Sequence, residues 1–128
     1  MKYMLLLYQD EADPERTHGE QNIKEHIAVA RRTVADGAYV AASPLRLTPT
    51  ATTVRVRGDN ATVTDGPFSE TKEALGGYYL LDCRDLDQAI AYAAALPQAR
   101  EACVEIRPVF EIAGWDEKIG LHAPDGTG

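Results

Sequence analysis

Two helix-like segments, each placed between short strand-like runs, constrain the fold of this 128-residue chain more than any other feature. The first helix is predicted over residues 22–36, and the second runs from the capping residue Asp85 to Pro97. Both segments have apolar residues at helical spacing. The residues expected to face inward are Ile23, Ile27, Ala30 and Val34 in the first helix and Leu86, Ala89, Ile90, Ala93 and Leu96 in the second.

The apolar runs between these helices are too short to be helices themselves and are typical of strands. Strands are predicted over residues 3–8, 39–42, 53–57, 61–64, 78–81 and 103–110. Gly58-Asp59-Asn60 is a hairpin turn, and alternation along the preceding strand predicts that Val54 and Val56 point inward.

The resulting order predicts an α+β fold, a ferredoxin-like sandwich with a hairpin insertion. Helices then cover only one face of the sheet. In a domain of this size we expect the other face to be covered by the sheet of a second copy, which gives a homodimer. Residues 1–112 are expected to form the domain, and residues 113–128 a flexible or dimer-packing tail.

Composition excludes several classes of partner. A net charge of −7 argues against nucleic acid, which requires clustered Lys and Arg. The apolar run at residues 3–8 is too short for a signal peptide or for a span of about 20 residues, so we expect a cytoplasmic protein without a membrane partner. Cys83 and Cys103 are too few for a zinc site and are expected in the core, and no cofactor or metal is expected.

The stretch TVTDGPFSETKEALGGYYLLD, residues 62–82, has the highest density of candidate site residues. Gly66 permits a tight turn and Pro67 fixes the next backbone angle, so the loop is expected to be rigid. Three interpretations remain open: a structured connection, a ligand-binding wall, or a catalytic loop. The candidates for binding are Gly66, Pro67, Phe68, Glu70 and Lys72, and the candidate for catalysis is Asp65.

His26 and Arg107 are candidates outside this loop. His26 borders the apolar stripe of the first helix, from which it can reach toward the sheet, and an imidazole suits proton transfer. The alternative is a boundary histidine bonded to a backbone carbonyl. His18 and His122 lie in polar stretches and are not expected to act. Arg107 is expected to form an ion pair with Asp65 or Glu70, or to bind an acidic ligand.

Three stretches together resemble one known family: MKYMLLLYQDE, then VTDGPFSETKEALGGYYLLD, then VEIRPVFEI. Over about residues 1–112 the chain is similar to the YCII-related family, in the branch named for its DGPF motif. The resemblance implies a ferredoxin-like fold that pairs into a dimeric α+β barrel. Many DGPF members resemble companions of extracytoplasmic-function sigma factors, which implies a functional link to such a factor.

The resemblance also implies a site. In the wider family, a histidine on the first helix and the aspartate of an Asp-Pro step after the second helix form a proposed catalytic dyad. His26 matches the histidine, but Leu96-Pro97 stands in place of Asp-Pro, so Asp65 becomes the candidate acid. One relative in the wider group is a dehydrochlorinase of a chlorinated hydroxyquinone, which implies possible lyase chemistry.

Three functions follow from these observations. The favoured one is a dimeric module that binds a small molecule or regulates a partner. The alternative is a lyase that uses His26 as general base, and it predicts His26 in a cavity beside an acid such as Asp65. The third is a structural dimer without a cavity.

Overall fold

Residues 1–121 of the computed structural model form a four-stranded antiparallel sheet with helices packed on one face, together with a separate two-stranded hairpin. The predictions for His122 and for residues 122–128 of the tail lie outside the described residues. The strands are β1 (Lys2–Gln9), β2 (Tyr39–Pro44), β3 (Thr52–Arg57), β4 (Asn60–Asp65), β5 (Ala74–Asp82) and β6 (Cys103–Pro108). The helices are α1 (Pro14–His18), α2 (Glu20–Ala35), α3 (Leu86–Ala94), α4 (Pro97–Glu101) and α5 (Trp115–Lys118).

The strand order of the main sheet is β2-β5-β1-β6, with all neighbours antiparallel. Without the hairpin, the chain consists of two β-α-β units. Their first strands, β1 and β5, are neighbours at the centre of the sheet, and their second strands, β2 and β6, form its two edges. This is the ferredoxin-like arrangement. The predicted fold is therefore confirmed. Alternation along β1 separates the two faces, because Tyr3, Leu5, Leu7 and Gln9 are buried beneath the helices.

The opposite face of the sheet carries apolar side chains that no helix covers. Its central residues are Met4 and Leu6 of β1 and Tyr78 and Leu80 of β5, all of intermediate exposure. These residues are called the open sheet face below.

The first predicted helix is present as α2, but its inward face differs from the prediction. The buried residues are Asn22, Val29 and Thr33, whereas Ile27 keeps 46% of its surface and Val34 keeps 60%. Residues 22, 26, 29 and 33 share one helical stripe, and this more polar stripe faces the sheet. The predicted apolar stripe instead lies to one side of the contact with the sheet, where Ile23, Ile27 and Val34 remain about half exposed. Apolar spacing alone therefore does not determine which face of this helix turns toward the sheet.

The second predicted helix is present as α3, and a further short helix, α4, begins at Pro97, the residue at which the predicted helix ends. Asp85 caps α3 as predicted, since its Oδ1 accepts from the backbone NH of Gln88 at 2.9 Å. The small residues of the predicted stripe are buried together with Leu96. Leu86 and Ile90 are half-exposed, and the large buried side chain on α3 is Tyr92.

The hairpin β3–β4 pairs only with itself within residues 1–121. Val54 and Val56 are therefore exposed, together with Val63, which corrects the prediction that the first two point inward. The two valines do share one face of the strand, but no core covers either face of this hairpin in a single chain. The prediction for the cysteines was half correct, because Cys83 is buried and Cys103 is exposed.

Candidate functional site

A mostly apolar cavity of about 340 Å³ lies between α2 and strands β2 and β5, on the helix-covered face of the sheet. This space is called the α2–β5 cavity below. Its apolar wall includes Leu7, Ile23, Ile27, Ala30 and Ala42. The volume falls at the lower end of the range for small-molecule sites in proteins. Of the described residues that line it, none is Asp, Glu, Lys or Arg.

His26 and Tyr79 form the polar centre of this cavity. The inner stripe of α2 directs His26 toward the sheet, and alternation along β5 directs Tyr79 toward the helix. The Nδ1 atom of His26 lies 2.9 Å from the Tyr79 hydroxyl oxygen. The two rings are 17° from parallel, with centroids 5.9 Å apart. The hydroxyl is also 3.4 Å from the carbonyl oxygen of His26, a longer contact.

Both groups are neutral near pH 7. Burial lowers the pKa of His26 from 6.5, and this effect outweighs the opposing effects of the Gln98 side chain and the Glu25 carboxylate. Burial raises the pKa of Tyr79 to about 12. A neutral phenol has one proton to donate, and the shorter contact assigns it to Nδ1. We therefore assign the imidazole proton to Nε2.

Three buried amide side chains, Gln9, Asn22 and Gln98, line the cavity, and two of them carry an unpaired atom. Gln9 is 6% exposed and Gln98 is 4% exposed. Gln9 Nε2 and Gln98 Oε1 have no hydrogen-bond partner within residues 1–121, although the Gln98 side chain is close enough to raise the pKa of His26. Most buried polar groups in proteins are paired, so two unpaired amides in one cavity call for an explanation.

A β-bulge positions Gln9. The pairing of β1 with β5 shifts between Leu7 and Tyr8, so that Gly76 is left without a partner. A Cβ atom at Gly76 would overlap the Gln9 amide, and the bulge therefore leaves space for that amide.

His18 lies at the wall of the cavity, although no role was predicted for it. Its Nε2 is 3.1 Å from the carbonyl oxygen of Leu45, and its Nδ1 is 2.9 Å from Oγ1 of Thr17. The short helix α1 is thereby connected to the segment after β2. His18 and Thr17 both line the cavity.

The DGPF loop borders a different space. Gly66 has φ of 97° and its NH donates to Ala51 O at 2.7 Å, so the predicted tight turn is present. Phe68 is 75% exposed. Gly66, Pro67, Phe68, Glu70 and Lys72 line an open groove of about 1200 Å³, called the DGPF groove below. The groove is wide and has both polar and apolar residues in its lining, which is consistent with a binding wall but selects no ligand.

Asp65 and Arg107 lie apart from His26 in the single chain. Asp65 ends β4 and does not line the α2–β5 cavity, where the described partner of His26 is Tyr79. The expected contact of Asp65 with His26 is thus not formed within one chain, because Asp65 ends a hairpin whose strands do not pair with the main sheet. Arg107 is exposed and contacts Glu105 at 3.9 Å, rather than Asp65 or Glu70.

Tyr79, Gln9 and Gln98 are the site residues that sequence reasoning missed. Gln9 had a usable signal, because it continues the buried alternation of Tyr3, Leu5 and Leu7. A polar residue at a buried strand position indicates a satisfied network or a site. Tyr79 and Gln98 had no comparable signal, since their contacts with α2 depend on tertiary packing.

Comparison with known proteins identifies the family. The model of the YCII-related domain matches residues 1–113. This chain belongs to the YCII-related family. An uncharacterized protein of Rhizobium meliloti is 36% identical over 114 residues, which cover 85% of this chain and 92% of the relative.

Among residues 1–121, we find no helix whose length and hydropathy would let it span a bilayer. The same residues hold no cluster of three or more metal-ligating side chains.

A solved structure is similar to this chain at a lower level. It is the 5-chloro-2-hydroxyhydroquinone dehydrochlorinase from Burkholderia phenoliruptrix AC1100, in complex with 2,5-dihydroxybenzoquinone. The TM-score is 0.49 and the identity 12%, with 86% of this chain and 94% of the other covered. A similarity of this size carries no conclusion about ligand or activity.

Proposed function

We propose that this YCII-related protein is a small-molecule-binding module and that its ligand site is the α2–β5 cavity. The observation that carries the proposal is the His26–Tyr79 pair, placed beside two unpaired buried amides in a mostly apolar space. Polar groups that the fold leaves unpaired inside an apolar cavity are the usual means by which a site orients a ligand.

The inner face of α2 supports the same proposal. A helix that served only the core would place its isoleucines against the sheet, whereas α2 places Asn22, His26 and Thr33 there. Ile23 and Ile27 instead form the wall and rim of the cavity. In the single chain this arrangement leaves Ile23 and Ile27 about half exposed, and it uses their side chains to line the cavity.

A binding role fits the geometry of His26 better than a catalytic one. A general base must present a free lone pair to its substrate, and the assigned lone pair on Nδ1 is occupied by Tyr79. No carboxylate among the described residues lines the cavity to orient the imidazole. The alternative lyase, with His26 as base and Asp65 as acid, requires release of Nδ1 and an acid from outside the cavity.

The module is proposed to act as a homodimer through the open sheet face. Its central side chains are apolar and lack a cover within residues 1–121. The hairpin β3–β4 also exposes three valines, which is consistent with contact to a second copy. A place in the DGPF branch and a link to an extracytoplasmic-function sigma factor rest on the resemblance of the sequence alone.

A cavity-filling substitution tests the ligand site. Ala30 lines the cavity, whereas Ala28 is exposed on the same helix. Small aromatic compounds, with toluene as the first probe, would be titrated against the wild type, Ala30→Leu and Ala28→Leu by calorimetry. We expect saturable binding to the wild type and to Ala28→Leu, and loss of binding in Ala30→Leu. Equal binding to all three proteins would remove the cavity as the site.

A further inference from the structure

We propose that Gln9 and Gln98 select the ligand, and that this ligand is an uncharged, largely apolar molecule whose polar end both accepts and donates a hydrogen bond. The inference rests on the proposed function, namely that the α2–β5 cavity binds a small molecule. It adds the chemical class of that molecule and the two residues that recognise it.

The first support is the pair of unpaired amide atoms. Gln9 Nε2 is a donor and Gln98 Oε1 is an acceptor. Neither atom has a partner at hydrogen-bond geometry within residues 1–121, although the Gln98 side chain approaches His26 closely enough to raise the pKa of the imidazole. Both side chains are more than nine-tenths buried, and both line the cavity. A ligand that accepts from Gln9 and donates to Gln98 satisfies both atoms, and a hydroxyl or a primary amide has this combination.

The second support is that the fold holds these amides in place. Gln9 is the last residue of β1, and the bulge at Gly76 provides the space that its amide occupies. Gln98 lies in the first turn of α4, directly after Pro97 fixes the start of that helix. Two separate elements therefore direct amide groups into one apolar space, which is the arrangement of a built site rather than of an irregular core.

The third support concerns charge. The cavity wall has no ionised side chain among its described residues, and His26 is neutral near pH 7. An ionised ligand would lose its hydration without gaining an opposite charge, and this cost is large in an apolar site. Carboxylates and amines are therefore expected to bind more weakly than neutral molecules of the same shape.

Three probes of nearly equal shape separate these requirements. Benzamide offers an acceptor and a donor without charge, benzoate offers acceptors with a negative charge, and toluene offers neither. Their affinities for the wild-type protein would be measured by calorimetry at pH 7.5. We expect benzamide to bind most tightly, followed by toluene and then benzoate.

Methionine substitutions remove the amides while nearly keeping side-chain shape. In Gln9→Met and Gln98→Met, we expect the affinity for benzamide to fall roughly tenfold, because one hydrogen bond of the buried ligand is lost. Toluene should bind all proteins within about twofold. Gln21→Met is the matched control, because Gln21 is exposed on α2 and does not line the cavity.

Thermal unfolding of the ligand-free proteins provides a readout that does not depend on a probe. Replacing an unpaired buried amide with an apolar side chain should raise the midpoint of unfolding in both cavity variants. A lowered midpoint in both would show that the amides serve the fold, and it would overturn the inference.

The outcomes distinguish this inference from the proposed function. If toluene binds the wild type as tightly as benzamide, or if the cavity variants bind benzamide like Gln21→Met, only the inference is overturned. The same holds if benzoate binds more tightly than benzamide. If no probe binds the wild type saturably, the proposed function is overturned and the inference with it.

Discussion

His26 on α2 and Tyr79 on β5 are joined by a 2.9 Å contact between Nδ1 and the phenol oxygen, across 53 residues of sequence. The contact connects the helix to a central strand, and both side chains line the α2–β5 cavity. It therefore has both a structural and a functional consequence, and these can be measured separately.

The structural consequence is a contribution to stability. Tyr79→Phe leaves the Nδ1 lone pair of a partly buried imidazole without its donor, and we expect the free energy of unfolding to fall by about 1–2 kcal/mol. Urea unfolding monitored by circular dichroism at pH 7.5 measures this change. Tyr78→Phe is the control, since Tyr78 is the neighbouring residue of β5 and the hydroxyl that contacts His26 belongs to Tyr79, and its change should stay within about 0.5 kcal/mol. Equal effects of the two substitutions would contradict the assigned bond.

The lowered pKa of His26 predicts a pH dependence of stability. The unfolded chain holds the imidazole proton up to about pH 6.5, whereas the folded chain releases it at a lower pH. Between these two values the unfolded state binds more protons, so the free energy of unfolding rises with pH. The contribution is therefore complete above 6.5 and is lost as the pH falls through the folded pKa.

The measurement is a comparison of the wild type with His26→Gln at about pH 7.5, 6.5 and 5.5, above the range in which carboxylates titrate. The wild type should lose more stability than His26→Gln over this interval. Parallel curves for the two proteins would show that the pKa of His26 is the same in both states.

The sequence predicted the fold well because strand and helix periodicities report local geometry. Each strand of the main sheet and the two long helices lie close to their predicted residues, and their order allows few topologies. The hairpin β3–β4 shows the limit of this reasoning. Alternation at Val54 and Val56 indicates that the strand has two faces, but not that anything covers either face in a single chain.

The site was only partly predictable for a related reason. His26 was found because imidazole chemistry is visible in the sequence, and its position next to Ile27 placed it at the border of the predicted apolar stripe of the helix. Its partner Tyr79 resembled any other strand residue. The stripe that faces the sheet contains Asn22 and Thr33, so the hydrophobic pattern pointed to the wrong side of the helix. Sites interrupt the apolar pattern on which fold prediction depends.

The contact between Gly76 and Gln9 predicts a coupled pair of substitutions. Gly76→Ala places a methyl group in the space of the Gln9 amide, and we expect a loss of about 1–3 kcal/mol in the free energy of unfolding. Gln9→Ala removes the obstructing amide. The double variant should therefore be more stable than the sum of the two single effects predicts, by about 1 kcal/mol or more.

Gly77→Ala supplies the control for this cycle. A methyl group there lies 3.0 Å from the carbonyl oxygen of Ser43 and does not approach Gln9. Its effect should add to that of Gln9→Ala within about 0.5 kcal/mol. Additivity in the Gly76 cycle as well would show that Gln9 does not occupy the space beside the bulge.

The open sheet face predicts the oligomeric state. If a second copy covers it, Leu80→Glu places a charge at the centre of an apolar interface, and the dimer should dissociate. Sedimentation velocity would show a dimer for the wild type and a monomer for the variant. Because Leu80 is only partly buried in the single chain, the variant should still fold.

Ile90→Glu is the control, since Ile90 is half-exposed on α3, on the opposite side of the sheet, and its variant should remain dimeric. A wild-type monomer at all concentrations would refute the pairing, because the apolar face would then be stable in water.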